Sequence, residues 1–204
     1  MQEFWNERYA QPVYAYGEQP NEWFKKQIDG LKPGKILLPG DGEGRNGVYA
    51  ATLGWEVNAF DLSSTGKDKA IQLANKHTVE IDYKVGELTE FNYNKDSFDA
   101  IALIFTHFAP GLRTNYHQIL STYLKPGGVI IIEGFRKEQF ERLKPGEKGG
   151  GPKNIDMLYS EAELLSDFKD FEILELKEED VDLDEGHFHK GNNAVIRFLG
   201  RKKG

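Results

Sequence analysis

Short apolar runs alternate with longer amphipathic stretches along almost the whole sequence. This order is typical of α/β proteins, in which helices cover both faces of a largely parallel sheet. We predict seven strands, approximately at residues 35–39, 56–60, 81–85, 99–105, 129–133, 171–176 and 194–199. Helices are predicted near residues 21–28, 45–53, 66–76, 113–124 and 160–168.

The last two predicted strands are joined differently from the others. The acidic run 178–185 has no helical pattern and is predicted to be an exposed connection. Parallel neighbours need a long crossover, so we expect the seventh strand to run antiparallel to the sixth. The 204 residues are expected to form one domain, with an N-terminal aromatic lid and helix in 1–30 and a core in 31–204. Segment 144–154, rich in glycine and proline, is predicted to be either a mobile lid or a plain surface loop.

Composition narrows the classes of partner. The formal net charge is −7, which argues against binding to nucleic acid or to an anionic membrane surface. The chain has no cysteine, which excludes disulfides, thiolate metal sites and a cysteine nucleophile. No signal peptide and no apolar run of about 18 residues is visible, so we expect a cytoplasmic protein. The sequence does not indicate an oligomeric state.

The most informative motif is an apolar strand that runs into a glycine-rich turn and then into a helix. It reads Ile36-Leu37-Leu38-Pro39-Gly40-Asp41-Gly42-Glu43-Gly44-Arg45-Asn46. Glycines permit positive φ and leave room for a ligand beside the backbone, while the free amides at the helix start offer donors. The turn is therefore either a cofactor site or simply a tight connection between strand and helix.

The acids of this turn discriminate between two kinds of cofactor. Three glycines have the spacing of a dinucleotide fingerprint, namely Gly42, Gly44 and Gly47. A pyrophosphate, however, is poorly matched to a turn that carries Asp41 and Glu43. A cationic cofactor without phosphate suits the same carboxylates, and S-adenosylmethionine, with its sulfonium and ammonium groups, has this chemistry. A nicotinamide-dependent oxidoreductase remains the alternative, since Asp61 also suits a dinucleotide ribose.

Other candidates follow the second, third and fourth predicted strands, whose carboxyl ends form the ligand-binding edge of an open α/β sheet. Asp61 is placed either to accept hydrogen bonds from ribose hydroxyls or to cap the following turn. Glu87 or the Leu88 amide is placed to meet adenine, unless Glu87 only faces solvent. Beyond the fourth strand lie Thr106 and His107. His107 either orients or deprotonates a nucleophile, or packs beside the sheet as a structural residue.

Two further motifs complete an ordered series along the chain. Phe98-Asp99-Ala100-Ile101 opens the fourth strand, and Leu124-Lys125-Pro126-Gly127-Gly128-Val129 leads into the fifth. Together with the glycine turn and Asp61, they resemble the class I S-adenosylmethionine-dependent methyltransferases over nearly the whole length. The resemblance implies a Rossmann-like fold whose seventh strand is inserted antiparallel between the fifth and the sixth.

Three shorter motifs resemble a small-molecule subgroup of that family, which includes tellurite-resistance and thiopurine methyltransferases. They are Phe4-Trp5-Asn6-Glu7-Arg8-Tyr9, Tyr16-Gly17-Glu18-Gln19-Pro20-Asn21 and Gly44-Arg45-Asn46. The resemblance implies transfer of a methyl group to a small-molecule acceptor, such as a thiol or a metalloid oxyanion, by in-line displacement. One departure is Leu38-Pro39, where the family commonly has an acid. This departure keeps open the alternative that the chain is a non-catalytic regulatory protein of the same fold, which binds the cofactor without transferring a methyl group.

The resemblance also assigns roles to single residues. The methionine moiety is expected beside the turn glycines, the ribose at Asp61, the adenine at Glu87 and Leu88, and the sulfur near Thr106. The full set expected to bind the cofactor is Trp5, Tyr16, Gly40, Asp41, Gly42, Gly44, Arg45, Asn46, Asp61, Leu62, Glu87, Leu88 and Thr106.

Aromatic residues and histidines outside the core motifs complete the candidates. Four aromatic residues precede the core, namely Trp5, Tyr9, Tyr14 and Tyr16. They either fold over the cofactor, with ring faces towards the sulfonium, or staple the first helix. Near the other end, His187 and His189 have a spacing that points both to one side of a strand. These histidines and Tyr14 are expected to contact the substrate, and no metal site is expected.

Overall fold

Seven strands form one mixed sheet in the computed structural model, which describes residues 1–143 and 150–204. The strands are β1 Lys35–Pro39, β2 Glu56–Asp61, β3 Asp82–Val85, β4 Phe98–Ile104, β5 Leu124–Phe135, β6 Phe171–Glu185 and β7 His189–Lys202. Their order across the sheet is β3-β2-β1-β4-β5-β7-β6. The first five strands are mutually parallel, and β7 runs antiparallel to both β5 and β6. The predicted Rossmann-like sheet with an antiparallel last strand is confirmed.

Helices cover both faces of this sheet, as predicted. They are α1 Gln2–Tyr9, α2 Glu22–Ile28, α3 Arg45–Thr52, α4 Ser64–Lys76, α5 Pro110–Tyr123, α6 Gln139–Arg142 and α7 Glu161–Asp167. Successive strand residues face opposite layers. On β1, Leu37 packs into the same core as Tyr116 and Leu120 of α5. Its neighbours Ile36 and Leu38 belong to the core that α2, α3 and α4 cover.

The acidic connection predicted at 178–185 is wrong, because these residues continue β6 as far as Glu185. Along this part of the strand, Val181 and Leu183 face inward while Asp180 and Asp182 are exposed. This alternation of buried and exposed residues has the two-residue period of a strand with one solvent-exposed face. The prediction failed because it relied on the acidic composition of the segment and not on its alternation of apolar and acidic residues.

Two other expectations concern the ends of the core. Helix α1 was not predicted, and it lies within the segment expected to form an aromatic lid. The predicted glycine-rich loop at 144–154 falls partly on residues 144–149, which lie outside the described residues. In the part that is described, Gln139 Nε2 donates to the carbonyl oxygen of Gly150 over 3.1 Å. Gly150 also packs so closely on Phe135 that a Cβ there would lie 2.6 Å from the ring.

Candidate active site

The glycine-rich turn connects β1 to α3 at the carboxyl edge of the sheet. Gly40, Gly42 and Gly44 all have positive φ, at 67°, 57° and 85°. A Cβ on Gly40 would lie 2.9 Å from Cγ2 of Thr106, and one on Gly44 would lie 2.5 Å from Cβ of Ala70. Glycine is therefore required for the backbone conformation and also for the close approach of Thr106 and α4 to the turn.

Asp41 lies buried within this turn. Its Oδ2 accepts a hydrogen bond from the Gly47 amide over 3.2 Å. Its Oδ1 is buried and has no hydrogen-bond partner among the described residues. Burial raises the pKa of this carboxyl well above its usual range, with the nearby Asp61 adding to the shift. A buried acceptor without a partner is uncommon, so this oxygen is suited to a ligand that brings a donor.

Asp61 ends β2 and holds the same turn from the other side. Its two carboxylate oxygens accept from the amides of Gly42, over 3.1 Å, and Ser63, over 2.9 Å. Burial raises the pKa of Asp61 to about 6, against these hydrogen bonds, which lower it. Each oxygen retains a second lone pair, so the role in the turn is compatible with contacts to ribose.

The N-terminal segment packs over the turn. Tyr9 is buried, and a Cβ on Gly42 would lie 2.6 Å from its hydroxyl oxygen. Trp5 stacks on Tyr9 with the ring centroids 5.5 Å apart. Further along, Glu43 Oε2 accepts from the amide of Ala15 over 2.7 Å. Of the predicted aromatic residues, Tyr9 therefore lies directly against the glycine turn, and Trp5 stacks on Tyr9.

Lys69 on α4 fastens this segment, and its removal provides a test. Its ammonium donates to the carbonyl oxygens of Gln11 and Val13, over 2.9 and 2.8 Å, and pairs with Glu43. We expect Lys69→Met to speed trypsin cleavage after Arg8 about tenfold, because charge-assisted hydrogen bonds contribute about 1.5 to 3 kcal/mol. Mass spectrometry of timed digests measures this rate. Lys67→Met on the same helix is the control, and an equal rate in the two variants would contradict the proposed clamp.

The predicted adenine residues differ in exposure. Leu62 is half-buried after Asp61, while Leu88 is buried in the core. Glu87 is exposed and forms a reciprocal capping arrangement with Glu90 around one short turn at 88–90. The backbone amide of Leu88 in this turn remains a candidate contact for adenine. The Glu87 carboxylate instead caps the turn itself.

Arg45 and Asn46 direct their side chains towards other parts of the chain. Arg45 Nη2 pairs with Glu185 Oε2 over 2.8 Å, and both groups are largely buried. Asn46 Oδ1 accepts from the amide of Asn21 over 2.9 Å. These two residues tie the turn to the β6–β7 hairpin and to the start of α2. Their predicted contact with a cofactor stays a prediction, and these contacts do not favour it.

Beyond β4, Thr106 donates from its hydroxyl to the carbonyl oxygen of Pro39 over 2.9 Å, which closes the edge beside Gly40. His107 uses both ring nitrogens. Nε2 accepts from the amide of Phe135 over 3.2 Å, and Nδ1 lies 3.0 Å from the carbonyl oxygen of Met157. Burial lowers the pKa of His107 to about 4. Since neither nitrogen is left to receive a proton from a nucleophile, the geometry favours the structural interpretation of His107.

The two C-terminal histidines do not point to the same side. His187 is exposed in the turn of the hairpin, while His189 is buried at the first position of β7. The turn at Gly186, with φ of 65°, separates them. The expectation of a shared strand face is therefore wrong, since the chain reverses between β6 and β7 at these residues.

The structure brings Tyr16, but not Tyr14, next to His189. The Tyr16 and His189 ring centroids are 4.4 Å apart. Tyr14 instead donates to the carbonyl oxygen of Lys69 over 3.0 Å, against α4. Sequence reasoning also missed Glu133, which is fully buried at the end of β5 and accepts from Asn21 over 2.8 Å. A single acid within the apolar run of that strand was the available signal.

Two features are absent from the described residues, 1–143 and 150–204. Within these ranges no helix combines the length and apolar character that a membrane crossing requires. The same part of the chain contains no group of three or more histidine, cysteine, aspartate or glutamate side chains arranged to hold a metal ion.

Comparisons with known proteins agree with the geometry. A family model described as a methyltransferase domain matches residues 36–128. Phosphoethanolamine N-methyltransferase 1 of Triticum aestivum is 29% identical over 129 residues, which are 60% of this chain and 25% of that protein. The chain thus spans about a quarter of the length of this curated relative.

Solved structures share the fold at low sequence identity. TehB from Haemophilus influenzae aligns with a TM-score of 0.72 and 18% identity, over 99% of this chain and 67% of that chain. A structure described for the conversion of a disulfide bond into a thioacetal group during echinomycin biosynthesis reaches 0.76 and 20% identity, over 100% and 92%. Magnesium protoporphyrin IX methyltransferase of Synechocystis PCC 6803, with bound SAH, reaches 0.64 and 14% identity, over 88% and 82%.

Proposed function

We propose that this chain, whose residues 36–128 match a methyltransferase domain, is a class I, S-adenosylmethionine-dependent methyltransferase that acts on a small molecule such as a thiol or a metalloid oxyanion. The observation that carries the proposal is the buried, unpartnered Oδ1 of Asp41 in the glycine turn, as judged among the described residues. An ammonium group of the cofactor would supply the donor that this oxygen lacks. Asp41 would thereby replace the acid that is missing at Leu38-Pro39.

The remaining cofactor contacts follow from the same edge of the sheet. We assign the ribose to Asp61, the methionine moiety to the glycine turn, and the sulfonium to the region of Thr106. Three acids lie at this turn: Glu43 is paired with the ammonium of Lys69, whereas Asp41 and Asp61 accept from backbone amides. Such a site repels the phosphates of a dinucleotide, so the electrostatics argue against the oxidoreductase alternative.

Catalysis by this arrangement rests on alignment more than on acid–base groups. When bound, the cofactor supplies a methyl group already activated by the positive sulfur. The N-terminal segment covers the turn and excludes water, while Thr106 and the glycines fix the edge at which donor and acceptor meet. Holding two reactants in line can lower the activation barrier by about 7 kcal/mol. The acceptor is proposed to be a small molecule of the cytoplasm rather than nucleic acid or a membrane component.

The pH dependence of cofactor binding tests the assignment of Asp61. Burial raises the pKa of its carboxyl to about 6, with Asp41, Glu43, Tyr9 and Tyr83 nearby. Ribose hydroxyls donate to the ionised form, so below pH 6 the free protein holds a proton that the complex must release. We expect the affinity for S-adenosylhomocysteine to fall by up to about tenfold per pH unit below 6. Calorimetric titrations between pH 5 and 7 measure this affinity. An affinity that does not change with pH over this range would contradict the assignment of Asp61 to the ribose.

Turnover separates an enzyme from a cofactor-binding protein that lacks activity. The purified chain is incubated with S-adenosylmethionine and a panel of thiols, phenols, selenite, tellurite and halides, and S-adenosylhomocysteine is quantified by mass spectrometry. We expect product with at least one acceptor. Tight binding of the cofactor with no product across the panel would favour the non-catalytic alternative.

A further inference from the structure

The β6–β7 hairpin carries a polar pair above the carboxyl edge of the sheet. In the register of the two strands, Glu185 is opposite His189, and Val195 is opposite Phe135 at the end of β5. His189 therefore lies six residues beyond the last pair that β7 forms with β5. This position is on the side where parallel strands of open α/β sheets bind ligands.

Glu185 and His189 form a hydrogen-bonded pair. His189 Nδ1 lies 3.2 Å from Oε2 of Glu185. The carboxylate is held in turn by Arg45, over 2.8 Å, and by Nδ2 of Asn21, over 2.9 Å. Burial alone would raise the pKa of Glu185, but His189 and Arg45 lower it to about 2, so the carboxylate is ionised at neutral pH and can only accept. Nδ1 must therefore be the protonated nitrogen, which leaves a lone pair on Nε2.

Among residues 1–143 and 150–204 the ring of His189 forms its one hydrogen bond through Nδ1, so Nε2 is available for a ligand within this part of the chain. It differs in this from His107, whose two nitrogens both bind backbone groups. Burial lowers the pKa of His189, as do the charges of Arg45 and Arg8. Glu185 opposes these effects, and His107 and Tyr16 are the other titratable groups that face the ring. The imidazole is thus neutral, and able to accept a proton, at neutral pH.

Aromatic rings pack around the imidazole of His189. Besides Tyr16, the rings of Phe105 and Phe135 lie 4.3 and 5.3 Å from His189, centroid to centroid. Phe105 directly follows β4 and has a φ of 52°, a conformation that costs a bulky residue about 1 to 3 kcal/mol. Backbone strain of this kind clusters at functional sites. Phe105 packs on His189 and is followed directly by Thr106, so this strained residue connects the histidine to the proposed methyl-transfer edge.

We propose that His189 is the general base of the transfer, positioned by Glu185, and that the acceptor is a molecule whose nucleophilic atom carries a proton, such as a thiol or a phenol. The proposal rests on the proposed methyltransferase activity. The acceptor's X–H proton passes to Nε2 as the bond from X to the methyl carbon forms. The carbon–sulfur bond breaks, and its electron pair remains on the sulfur, which becomes neutral.

Kinetics with acceptors of two kinds test the role of His189. Phenol and 2-mercaptoethanol are largely protonated at pH 7, whereas iodide has no proton to lose. We expect His189→Gln to lower kcat for the first two about 100-fold, with little change in KM and no change with iodide. The acid limb of the wild-type pH profile should disappear. Glu185→Gln should move that limb to lower pH, because Glu185 raises the pKa of His189. His77→Gln, exposed at the end of α4, is the control.

Nitrogen-15 spectra of histidine-labelled protein with S-adenosylhomocysteine provide a second readout. His189 should carry its proton on Nδ1 at pH 7, and Glu185→Gln should weaken that preference. A proton on Nε2, an imidazolium at pH 7, or an equal loss of rate with iodide would overturn the base role. Binding of S-adenosylhomocysteine without turnover of either protonated acceptor would overturn the acceptor class alone. Absence of that binding would instead overturn the proposed function.

Discussion

Replacing Asp61 by asparagine is expected to weaken the binding of S-adenosylhomocysteine roughly 100-fold at pH 7.5, as measured by calorimetry. The ionised carboxylate can accept from two ribose hydroxyls at once, while asparagine has a single acceptor oxygen. Hydrogen bonds to charged groups contribute about 1.5 to 3 kcal/mol, and about 1.4 kcal/mol corresponds to a factor of ten. One lost bond and one weakened bond together account for the expected change.

The substitution also touches the turn, so the design separates binding from folding. Asparagine presents an amide donor where the carboxylate of Asp61 now accepts from the amides of Gly42 and Ser63. Thermal unfolding of the variant is therefore measured beside the titration. Asp68→Asn, exposed on α4, is the matched control and should bind like the wild type. A folded Asp61→Asn variant with unchanged affinity would remove the ribose assignment.

Replacing Gly44 by alanine is expected to lower the free energy of unfolding by roughly 3 kcal/mol. With φ of 85°, alanine costs about 1 to 2 kcal/mol of backbone strain. Its Cβ would also lie 2.5 Å from Cβ and 2.8 Å from Cα of Ala70, and such overpacking adds about 1 to 3 kcal/mol. For a chain of this length, about 3 kcal/mol corresponds to a decrease in Tm of roughly 6 to 12 °C.

Gly54 offers the control for this change. Its φ of 89° is nearly the same, but nothing lies within 4 Å of an added Cβ. Gly54→Ala should therefore show the strain alone, about 1 to 2 kcal/mol. Denaturant titration of both variants compares the two losses. Equal losses would show that α4 does not approach the turn closely.

The fold was predictable where local patterns decide it. Apolar runs such as Ile36-Leu37-Leu38 are followed by turns and amphipathic helices, and a parallel sheet is the arrangement that buries both sets. Helix α1 was not predictable in this way. Its buried residue, Tyr9, gains its environment from Gly42 and Gly66, which are distant in sequence. Tertiary contacts therefore stabilise a helix whose own sequence carries little signal.

The position of the candidate site was predictable in part for the same reason. Positions at the ends of strands, such as Asp61 and Thr106, follow from the sheet alone. The partners of side chains do not, and the ion pair between Arg45 and Glu185 joins residues 140 positions apart. Glu185 was assigned to an exposed acidic connection, although the alternation around Leu183 indicated a strand. Only that strand brings Glu185 opposite His189 and makes the pair visible.

Calorimetric titration of the purified chain with S-adenosylhomocysteine, NAD and NADP tests the central claim most directly. A turn with Asp41, Glu43 and Asp61 around its glycines suits a cofactor with an ammonium group and no phosphate. We predict saturable binding of S-adenosylhomocysteine and no heat of binding with either dinucleotide. Binding of NAD or NADP without binding of S-adenosylhomocysteine would contradict the account.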